Sequence, residues 1–339
     1  MFDFIPDYVF LFIFGLILLI KGGDWFVDAA SGIAKRFKLP ELLIGATVVS
    51  IGTTLPEVMT SAMDAAGGAG EIAYGNAIGS IICNTSLIAA ITLSIKPAKA
   101  DRKTLIFPVC FFFGAAAFYS VCVYVFGEFA RWSGIVLLIG FVSYMIITVV
   151  NMLKNKTDAE PEHESVALEC ELPEDNSKAG LIKDIAVLVG GALVIAVGAH
   201  LLVNSATTIA TVLGMPESVI GITVVALGTS LPELVTAITS LAKGHGSLSL
   251  GNIIGANIFN LVLVSGVSVT LSPFPVPEKS YLFGINSSLV LEMPVMIGVM
   301  ALMTLPALIR GKLSRWQGFS LLAIYVAFTV MQFAFVKSV

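Results

Sequence analysis

The sequence predicts an all-α integral membrane protein with ten transmembrane helices, arranged as two inverted five-helix repeats. Three observations lead to this prediction: an apolar composition, ten long apolar stretches and a motif that occurs twice. Of the 339 residues, 57% are hydrophobic and 12% are charged, whereas soluble globular domains are about 45–50% apolar and about 25% charged. This composition excludes a cytosolic enzyme, a nucleic-acid binder and a disordered chain.

Ten stretches of the chain are long and apolar enough to cross a bilayer, which takes about 17–25 residues per helix. The first stretch follows acidic residues and lacks a small-residue cleavage site, so we interpret it as a retained span and not as a signal peptide. The acidic segment 153–180 lacks the spacing of an EF-hand and predicts a solvated linker. The predicted spans are 8–33, 41–65, 72–95, 104–126, 132–152, 181–211, 217–242, 247–271, 289–309 and 317–336.

Lys and Arg residues are distributed unevenly between the two sides of the membrane. Fifteen of the 19 fall in the predicted loops on one side or within a few residues of them, and three fall on the other. The positive-inside rule places the first side in the cytoplasm. The sequence therefore predicts a multi-pass protein of the cell (cytoplasmic or inner) membrane, with both termini outside and the linker 153–180 in the cytoplasm.

A thirteen-residue motif occurs once in each half of the chain. Residues 45–57 (GATVVSIGTTLPE) and 221–233 (GITVVALGTSLPE) are identical at nine positions. The shift in numbering that takes Gly45 onto Gly221 is called the repeat offset below. The repeat offset also relates GNAIGS at 75–80 to GNIIGA at 251–256.

Each half contains five spans, an odd number, so the second half enters the membrane from the opposite side. Inverted repeats of this kind are typical of secondary transporters, which bind ions near the membrane midplane between the repeats. A fainter similarity, RWSG at 131–134 and RWQG at 315–318, marks the fifth span of each half. We predict one membrane repeat at 1–152 and the other at 181–339.

Each copy of the motif places one glutamate, Glu57 or Glu233, in the middle of an apolar span. A carboxylate at this depth costs about 2.5–3.5 kcal/mol on insertion scales, which makes it a candidate functional residue. Pro56 and Pro232 precede the glutamates, and each proline removes a backbone donor and frees carbonyl groups. Close helix packing accounts equally well for the Gly-x-x-x-Gly pairs Gly75–Gly79 and Gly251–Gly255, but it does not account for duplicated carboxylates.

Further oxygen-bearing side chains share the helix face of each glutamate or lie on the following span. Hydroxyl groups precede each glutamate by four and three residues, and polar residues recur at four-residue spacing on the next span. Such a set of hard oxygen ligands suits Ca²⁺ and smaller hard monovalent cations, and the lack of thiolate and imidazole groups argues against copper and zinc. The residues are Thr53, Thr54, Thr229, Ser230, Asn76, Ser80, Asn84, Asn252 and Asn260.

The duplicated motif resembles the α-repeats of the calcium/cation antiporter superfamily, and it looks most like those of the bacterial sodium/calcium exchanger branch. The similarity covers both repeats and the ten-span layout. It implies a secondary active antiporter that exchanges Ca²⁺ for Na⁺ by alternating access, with Ca²⁺, Na⁺ and membrane lipid as partners. It implies no cofactor, no nucleic acid and no obligate protein partner.

The resemblance also implies a role for each motif residue. Glu57 and Glu233 would hold Ca²⁺, alternately with Na⁺, and Asn84 and Asn260 would line the centre of the site. The flanking Na⁺ ligands would be the side chains of Thr53, Thr54, Ser80, Thr229 and Ser230, together with the backbone carbonyls of Ser50 and Ala226.

The sequence departs from the family pattern at two positions. Ala256 stands where the family often has serine, which leaves the Na⁺ stoichiometry open. Asn260 stands where some relatives, including those that also move K⁺, have aspartate, so K⁺ co-transport is not expected.

Other interpretations of the buried acids remain open. Ca²⁺/H⁺ exchange is the nearest alternative, because glutamates also carry protons. A cation channel is a remote alternative, and an intramembrane hydrolase would need a catalytic motif that the sequence lacks. Asp24 and Asp28 of the first span are expected to pair with Lys21 or with other neighbours.

Overall fold

The computed structural model describes residues 7–37, 39–97, 100–157, 178–212, 228, 230–278 and 280–338. Two of the predicted ligands, Ala226 and Thr229, lie outside the described residues. Most of the linker 153–180 and the first part of the seventh predicted span also lie outside them.

The described residues form ten helices, each of which coincides with one predicted span. Nine of them are long and apolar enough to cross a membrane, and α7 is described as a shorter apolar helix of 12 residues. The predicted all-α membrane fold is therefore confirmed. The helices are α1 (Asp7–Phe37), α2 (Glu41–Ala66), α3 (Gly70–Ile95), α4 (Arg102–Phe126), α5 (Arg131–Thr157), α6 (Lys178–Val212), α7 (Leu231–Ala242), α8 (Gly246–Leu271), α9 (Ser288–Arg310) and α10 (Arg315–Ala334).

Several of these helices contain one π-helical turn, which holds one extra residue and is common at functional sites. In α3 the turn is Asn84–Ile88 and in α8 it is Asn260–Val264, so the two turns occupy equivalent positions of the repeat. A third turn, Gly45–Val49, lies in α2. Helix α2 runs on through Pro56, so its departure from α-helical geometry precedes the proline by two turns.

The chain divides into two compact units, and the first comprises residues 1–53 and 145–251. Its most extensive helix contact is between α1 and α6. A Cβ atom at Gly15 would lie 2.9 Å from the carbonyl oxygen of Gly198, and a Cβ atom at Gly198 would lie 2.9 Å from that of Gly15. Glycine at both positions thus allows the two backbones to approach closely, as in other packed transmembrane helices. An ion pair of 2.9 Å between Arg36 and Asp184 joins the same helices near the C-terminal end of α1.

The second unit comprises residues 54–144 and 252–339. In this unit the fifth helix of each half packs against the third helix of the other half. A Cβ atom at Gly318 of α10 would lie 2.8 Å from the Ala90 carbonyl oxygen of α3. A Cβ atom at Gly134 of α5 would lie 3.0 Å from the Gly266 carbonyl oxygen of α8. Gly134 and Gly318 belong to the RWSG and RWQG sequences, and the repeat offset relates Ala90 to Gly266.

Two arginines make a matching pair of contacts in the second unit. Arg131 donates a hydrogen bond to the carbonyl oxygen of Leu271 at 3.5 Å, and Arg315 donates one to that of Ile95 at 3.3 Å. The repeat offset also relates the two acceptors. The internal symmetry that the sequence predicts is therefore present in the helix contacts of this unit.

The described residues include five short strands on one side of the second unit, in two loops and in the segment after α10. Strand β1 (Glu128–Phe129) pairs antiparallel with β2 (Phe274–Pro275). On the opposite side, the Ala100 amide donates a hydrogen bond to the Gly311 carbonyl oxygen at 3.0 Å. The loops after α4 and α8 thus meet on one side, and those after α3 and α9 meet on the other, as expected for helices that cross the membrane in alternating directions. The remaining strands are β3 (Ser280–Leu282), β4 (Ile285–Asn286) and β5 (Val336–Ser338), with β3 between the other two.

Candidate ion-binding site

Glu57 lies on α2, one turn after Thr53 and Thr54. All three side chains are buried, and Glu57 and Thr54 have no exposed surface. One turn earlier, the Ser50 hydroxyl donates a hydrogen bond to the Gly45 carbonyl oxygen across the π-turn at 2.8 Å. Ser50 and Thr53 belong to the first unit, and Thr54 and Glu57 belong to the second. The first copy of the motif therefore places a fully buried carboxylate one helical turn from two hydroxyl groups.

Asn84 and Asn260 are fully buried in the second unit. Each begins the π-turn of its helix, and α3 packs against the π-turn that begins at Asn260. No side-chain nitrogen or oxygen of these two residues has a hydrogen-bond partner among the described residues. A buried polar group without a partner costs about 1–3 kcal/mol, so carboxamides in this state are typical of a site that holds an ion or water. Ser80, one turn before Asn84, is also buried.

Asn76 contacts a residue that the sequence analysis did not single out. Its Nδ2 donates a hydrogen bond to the Ser61 hydroxyl at 2.8 Å, which ties α3 to α2. Ser61 is fully buried and lies four residues after Glu57. This spacing, on the same face of α2, was the one signal in the sequence that could have indicated Ser61.

Glu233 lies in the first turn of α7 and is fully buried in the first unit. Pro232 precedes it at the start of the helix, where the missing N–H leaves no intrahelical hydrogen bond unmade. The hydroxyls of Ser230 and Thr236 are buried and have no hydrogen-bond partner among the described residues. The second copy of the motif thus also combines a buried carboxylate with hydroxyl groups.

Within the described residues, no three His, Cys, Asp or Glu side chains come together as a metal site would require. The candidate ligands are the two motif carboxylates together with hydroxyl and carboxamide groups. Oxygen ligands of this kind bind hard cations such as Ca²⁺, whereas zinc and copper sites use nitrogen and sulfur ligands.

The two acids of α1 pair with a distant lysine. Lys243 Nζ lies 2.7 Å from Asp28 Oδ1 and 3.4 Å from Asp24 Oδ1. The prediction that these acids pair with Lys21 or with other neighbours is therefore wrong. Lys243 follows α7 in the turn that leads to α8, in the other half of the chain from both acids, so no local pattern indicated the contact.

A second polar cluster lies beside that turn in the first unit. His245 Nδ1 is 2.7 Å from Glu41 Oε1, and the Ser31 hydroxyl is 3.3 Å from His245 Nε2. The cluster joins α1, the start of α2 and the turn before α8. The sequence analysis did not predict this cluster.

An all-helical membrane fold built from an internal repeat, with a buried carboxylate in each copy of its motif, is typical of secondary transporters. The profile of the sodium/calcium exchanger protein family matches residues 8–150 and 183–334. The chain belongs to this family.

Individual relatives match this chain over almost their whole length. The sodium/calcium exchanger MaX1 of Methanosarcina acetivorans is 32% identical over 349 aligned positions, which cover 95% of this chain and 97% of the relative. An uncharacterized membrane protein of Methanocaldococcus jannaschii is 34% identical, and the alignment covers 93% of this chain and 94% of the relative. Among solved structures, the sodium-calcium exchanger NCX_Mj soaked with 10 mM Na⁺ and zero Ca²⁺ aligns with a TM-score of 0.78 at 34% identity, over 95% of this chain and 98% of that one.

Proposed function

We propose that Glu57 and Glu233 bind the Ca²⁺ that this sodium/calcium antiporter exchanges for Na⁺ across the membrane by alternating access. The observation that carries the proposal is the complete burial of both carboxylates at equivalent positions of the repeat. Two carboxylates neutralise one Ca²⁺, and the same oxygens suit Na⁺ when Ca²⁺ leaves. Competition of the two ions for shared ligands couples the movement of one to that of the other.

The remaining ligands follow from the match to the family motif. The hydroxyls of Thr53, Thr54, Ser80, Thr229 and Ser230 and the backbone carbonyls of Ser50 and Ala226 bind Na⁺ beside the glutamates. Asn84 and Asn260 line the centre of the site. The buried carboxamides without partners among the described residues, and the buried Ser230 hydroxyl, support these assignments.

The protein lies in the cell (cytoplasmic or inner) membrane, with both termini outside and the linker 153–180 in the cytoplasm. The uneven distribution of Lys and Arg supports this orientation. Na⁺ is the counter-ion, because the family and the relative MaX1 are named sodium/calcium exchangers. The proton-coupled alternative is not favoured, and the transport assay distinguishes the two.

Proteoliposomes loaded with Na⁺ and diluted into Na⁺-free buffer with ⁴⁵Ca²⁺ test the function. We expect Ca²⁺ uptake that requires internal Na⁺. Uptake that instead follows an imposed pH gradient and ignores Na⁺ would assign Ca²⁺/H⁺ exchange.

Glutamine variants test the two glutamates. Glu57→Gln and Glu233→Gln keep the size of the side chain and remove its charge, so we expect Na⁺-dependent Ca²⁺ uptake to fall to the background of empty vesicles. Glu292→Gln is the matched control: Glu292 is a partly buried acid of α9 that accepts hydrogen bonds from Ser287 and Ser288. Normal uptake by either motif variant, with the protein inserted, would refute the site assignment.

A further inference from the structure

Three side chains form a hydrogen-bonded cluster in the second unit, outside the set of candidate ion ligands. Asn257 Nδ2 donates to Thr85 Oγ1 at 2.7 Å and to Met300 Sδ at 3.1 Å. The Thr85 hydroxyl in turn donates to Met300 Sδ at 3.4 Å. All three side chains are fully buried. The cluster therefore connects α3, α8 and α9 by polar contacts in an apolar interior.

Two members of the cluster are close in sequence to the buried asparagines Asn84 and Asn260. Thr85 directly follows Asn84 in the π-turn of α3. Asn257 precedes Asn260 by three residues, one turn before the π-turn of α8. A shift or rotation of either helix segment at the cluster therefore also moves the neighbouring asparagine.

The internal symmetry of the fold does not require this cluster. The repeat offset relates Asn257 to Ile81 and Thr85 to Leu261, and both of these equivalents are buried apolar residues. At the equivalent positions the helices therefore carry buried apolar side chains, so the fold itself does not require polar groups there. Asn257 Nδ2 makes the hydrogen bonds to Thr85 and Met300, whereas Asn257 Oδ1 has no hydrogen-bond partner among the described residues. Breaking the Nδ2 contacts would leave further buried polar atoms unpaired, so the hydrogen bonds favour one arrangement of the helices that carry them.

We propose that Thr85, Asn257 and Met300 are positioning residues that hold Asn84 and Asn260 at a fixed separation and thereby set the size of the divalent cation that the antiporter prefers. This inference rests on the proposed function, because the two asparagines line an ion site only there. Discrimination among hard cations depends on the dimensions and rigidity of the ligand cage. Ca²⁺ takes oxygen ligands at about 2.3–2.6 Å, and Sr²⁺, with the same charge and a larger radius, tests how rigidly that distance is held.

The test compares Ca²⁺ and Sr²⁺ transport by the Thr85→Val variant in Na⁺-loaded proteoliposomes. Valine keeps the shape of threonine and removes the hydroxyl that joins Asn257 to Met300. We expect the apparent KM for Ca²⁺ to rise about threefold to tenfold, as for loss of one buried hydrogen bond. We also expect the preference for Ca²⁺ over Sr²⁺ to fall by a similar factor, while the maximal rate per folded transporter changes little. Thr85→Ser, which restores the hydroxyl, should return both quantities to the values of the unmodified protein.

Thr304→Val is the matched control. Thr304 is a similarly buried threonine of α9, but its hydroxyl donates to the Met300 carbonyl oxygen of its own helix. We expect this variant to retain the original KM and the original preference for Ca²⁺. If Thr304→Val loses the preference to the same extent as Thr85→Val, the effect is general destabilisation and the inference is refuted.

Two further results keep the test decisive. If Thr85→Val does not fold, Met300→Leu replaces it, because leucine preserves the volume and removes the sulfur acceptor. Unchanged KM and unchanged Ca²⁺/Sr²⁺ preference in a folded cluster variant would refute the positioning role while leaving the antiport assignment intact. Failure of the unmodified protein to exchange Ca²⁺ for Na⁺ would instead refute the proposed function.

Discussion

Ala256 differs in side-chain chemistry from its counterpart in the first half of the repeat. It is fully buried on α8, and the repeat offset relates it to Ser80, which is buried on α3. Ser80 therefore offers an oxygen where Ala256 offers a methyl group. In the proposed site this difference would remove one ligand from one of the flanking Na⁺ positions, and the two halves of the repeat would then bind Na⁺ unequally.

Ala256→Ser should strengthen Na⁺ binding. The new hydroxyl adds one oxygen ligand, and we expect the Na⁺ concentration that half-inhibits Ca²⁺ uptake to fall about threefold to tenfold, or roughly 0.7–1.4 kcal/mol. The apparent KM for Ca²⁺ in Na⁺-free buffer should stay the same. The measurement is ⁴⁵Ca²⁺ uptake at graded external Na⁺.

A serine placed elsewhere in the same group of helices provides the control for this variant. Ala89 of α3 is also buried, and a serine there can bond to its own helix backbone. Ala89→Ser should leave the Na⁺ dependence unchanged. An Ala256→Ser variant with the original Na⁺ dependence would contradict the assignment of this position to a Na⁺ site.

At the scale of helices, backbone contact at two glycines joins the third and fifth helices of opposite halves. A Cβ atom at Gly134 would lie 2.7 Å from the Thr270 backbone nitrogen, and one at Gly318 would lie 2.8 Å from the Ser94 backbone nitrogen. Real Cβ atoms do not approach backbone atoms so closely, so a side chain at either glycine would force the helices apart. The two contacts are equivalent under the repeat, which predicts that they contribute similarly to stability.

Gly134→Ala and Gly318→Ala should each destabilise the protein by about 1–3 kcal/mol, the usual cost of overpacking. Thermal unfolding of the purified protein in detergent measures this effect as a lower midpoint. Gly140→Ala on the same helix as Gly134 is the control, since its Cβ would meet only the Phe111 ring at 3.7 Å. Stability losses that differ widely between Gly134→Ala and Gly318→Ala would argue against equivalent packing.

At the scale of the whole molecule, the loops that meet within each unit are those that ten alternating membrane crossings place on the same side. In the second unit, β1 and β2 join the loops after α4 and α8, and the Ala100–Gly311 hydrogen bond joins the loops after α3 and α9. In the first unit, the contact of His245 with Glu41 joins the turn after α7 to the start of α2. Which group of loops faces the cytoplasm follows from the Lys and Arg distribution alone and stays a prediction.

Cysteine labelling tests the proposed orientation. With Cys83, Cys110 and Cys122 replaced by alanine, Cys170 in the linker is the remaining thiol. A membrane-impermeant maleimide should label it in inverted membrane vesicles and leave it unlabelled in intact cells. Glu128→Cys, in a chain without the native cysteines, should show the opposite pattern, because Glu128 is exposed in the loop after α4. Labelling of Cys170 from outside intact cells would reverse the topology.

Much of the fold could be predicted from the sequence because its signals are local or repeated. The ten apolar stretches correspond to ten helices among the described residues, and the repeat offset recurs in the contacts of Arg131 and Arg315. The family was likewise evident from the duplicated motif. The ion ligands were proposed from residue type, from spacing and from the resemblance to the family, and their role in ion binding stays a prediction. Of the described ones, those buried include Glu57, Ser80, Asn84, Glu233 and Asn260.

Contacts between segments that are distant in the chain could not be predicted from the sequence. The partner of Asp28 is Lys243 rather than the neighbouring Lys21, and Thr85 meets Asn257 from the other half of the chain. Hydropathy and motif spacing describe which residues enter the membrane and which face of a helix they share. They do not describe which side chains meet across helices, because that depends on how closely the backbones approach and where a π-turn rotates a helix face. The number and order of the spans can thus be predicted from the sequence, whereas the polar contacts beside the buried asparagines arise from packing.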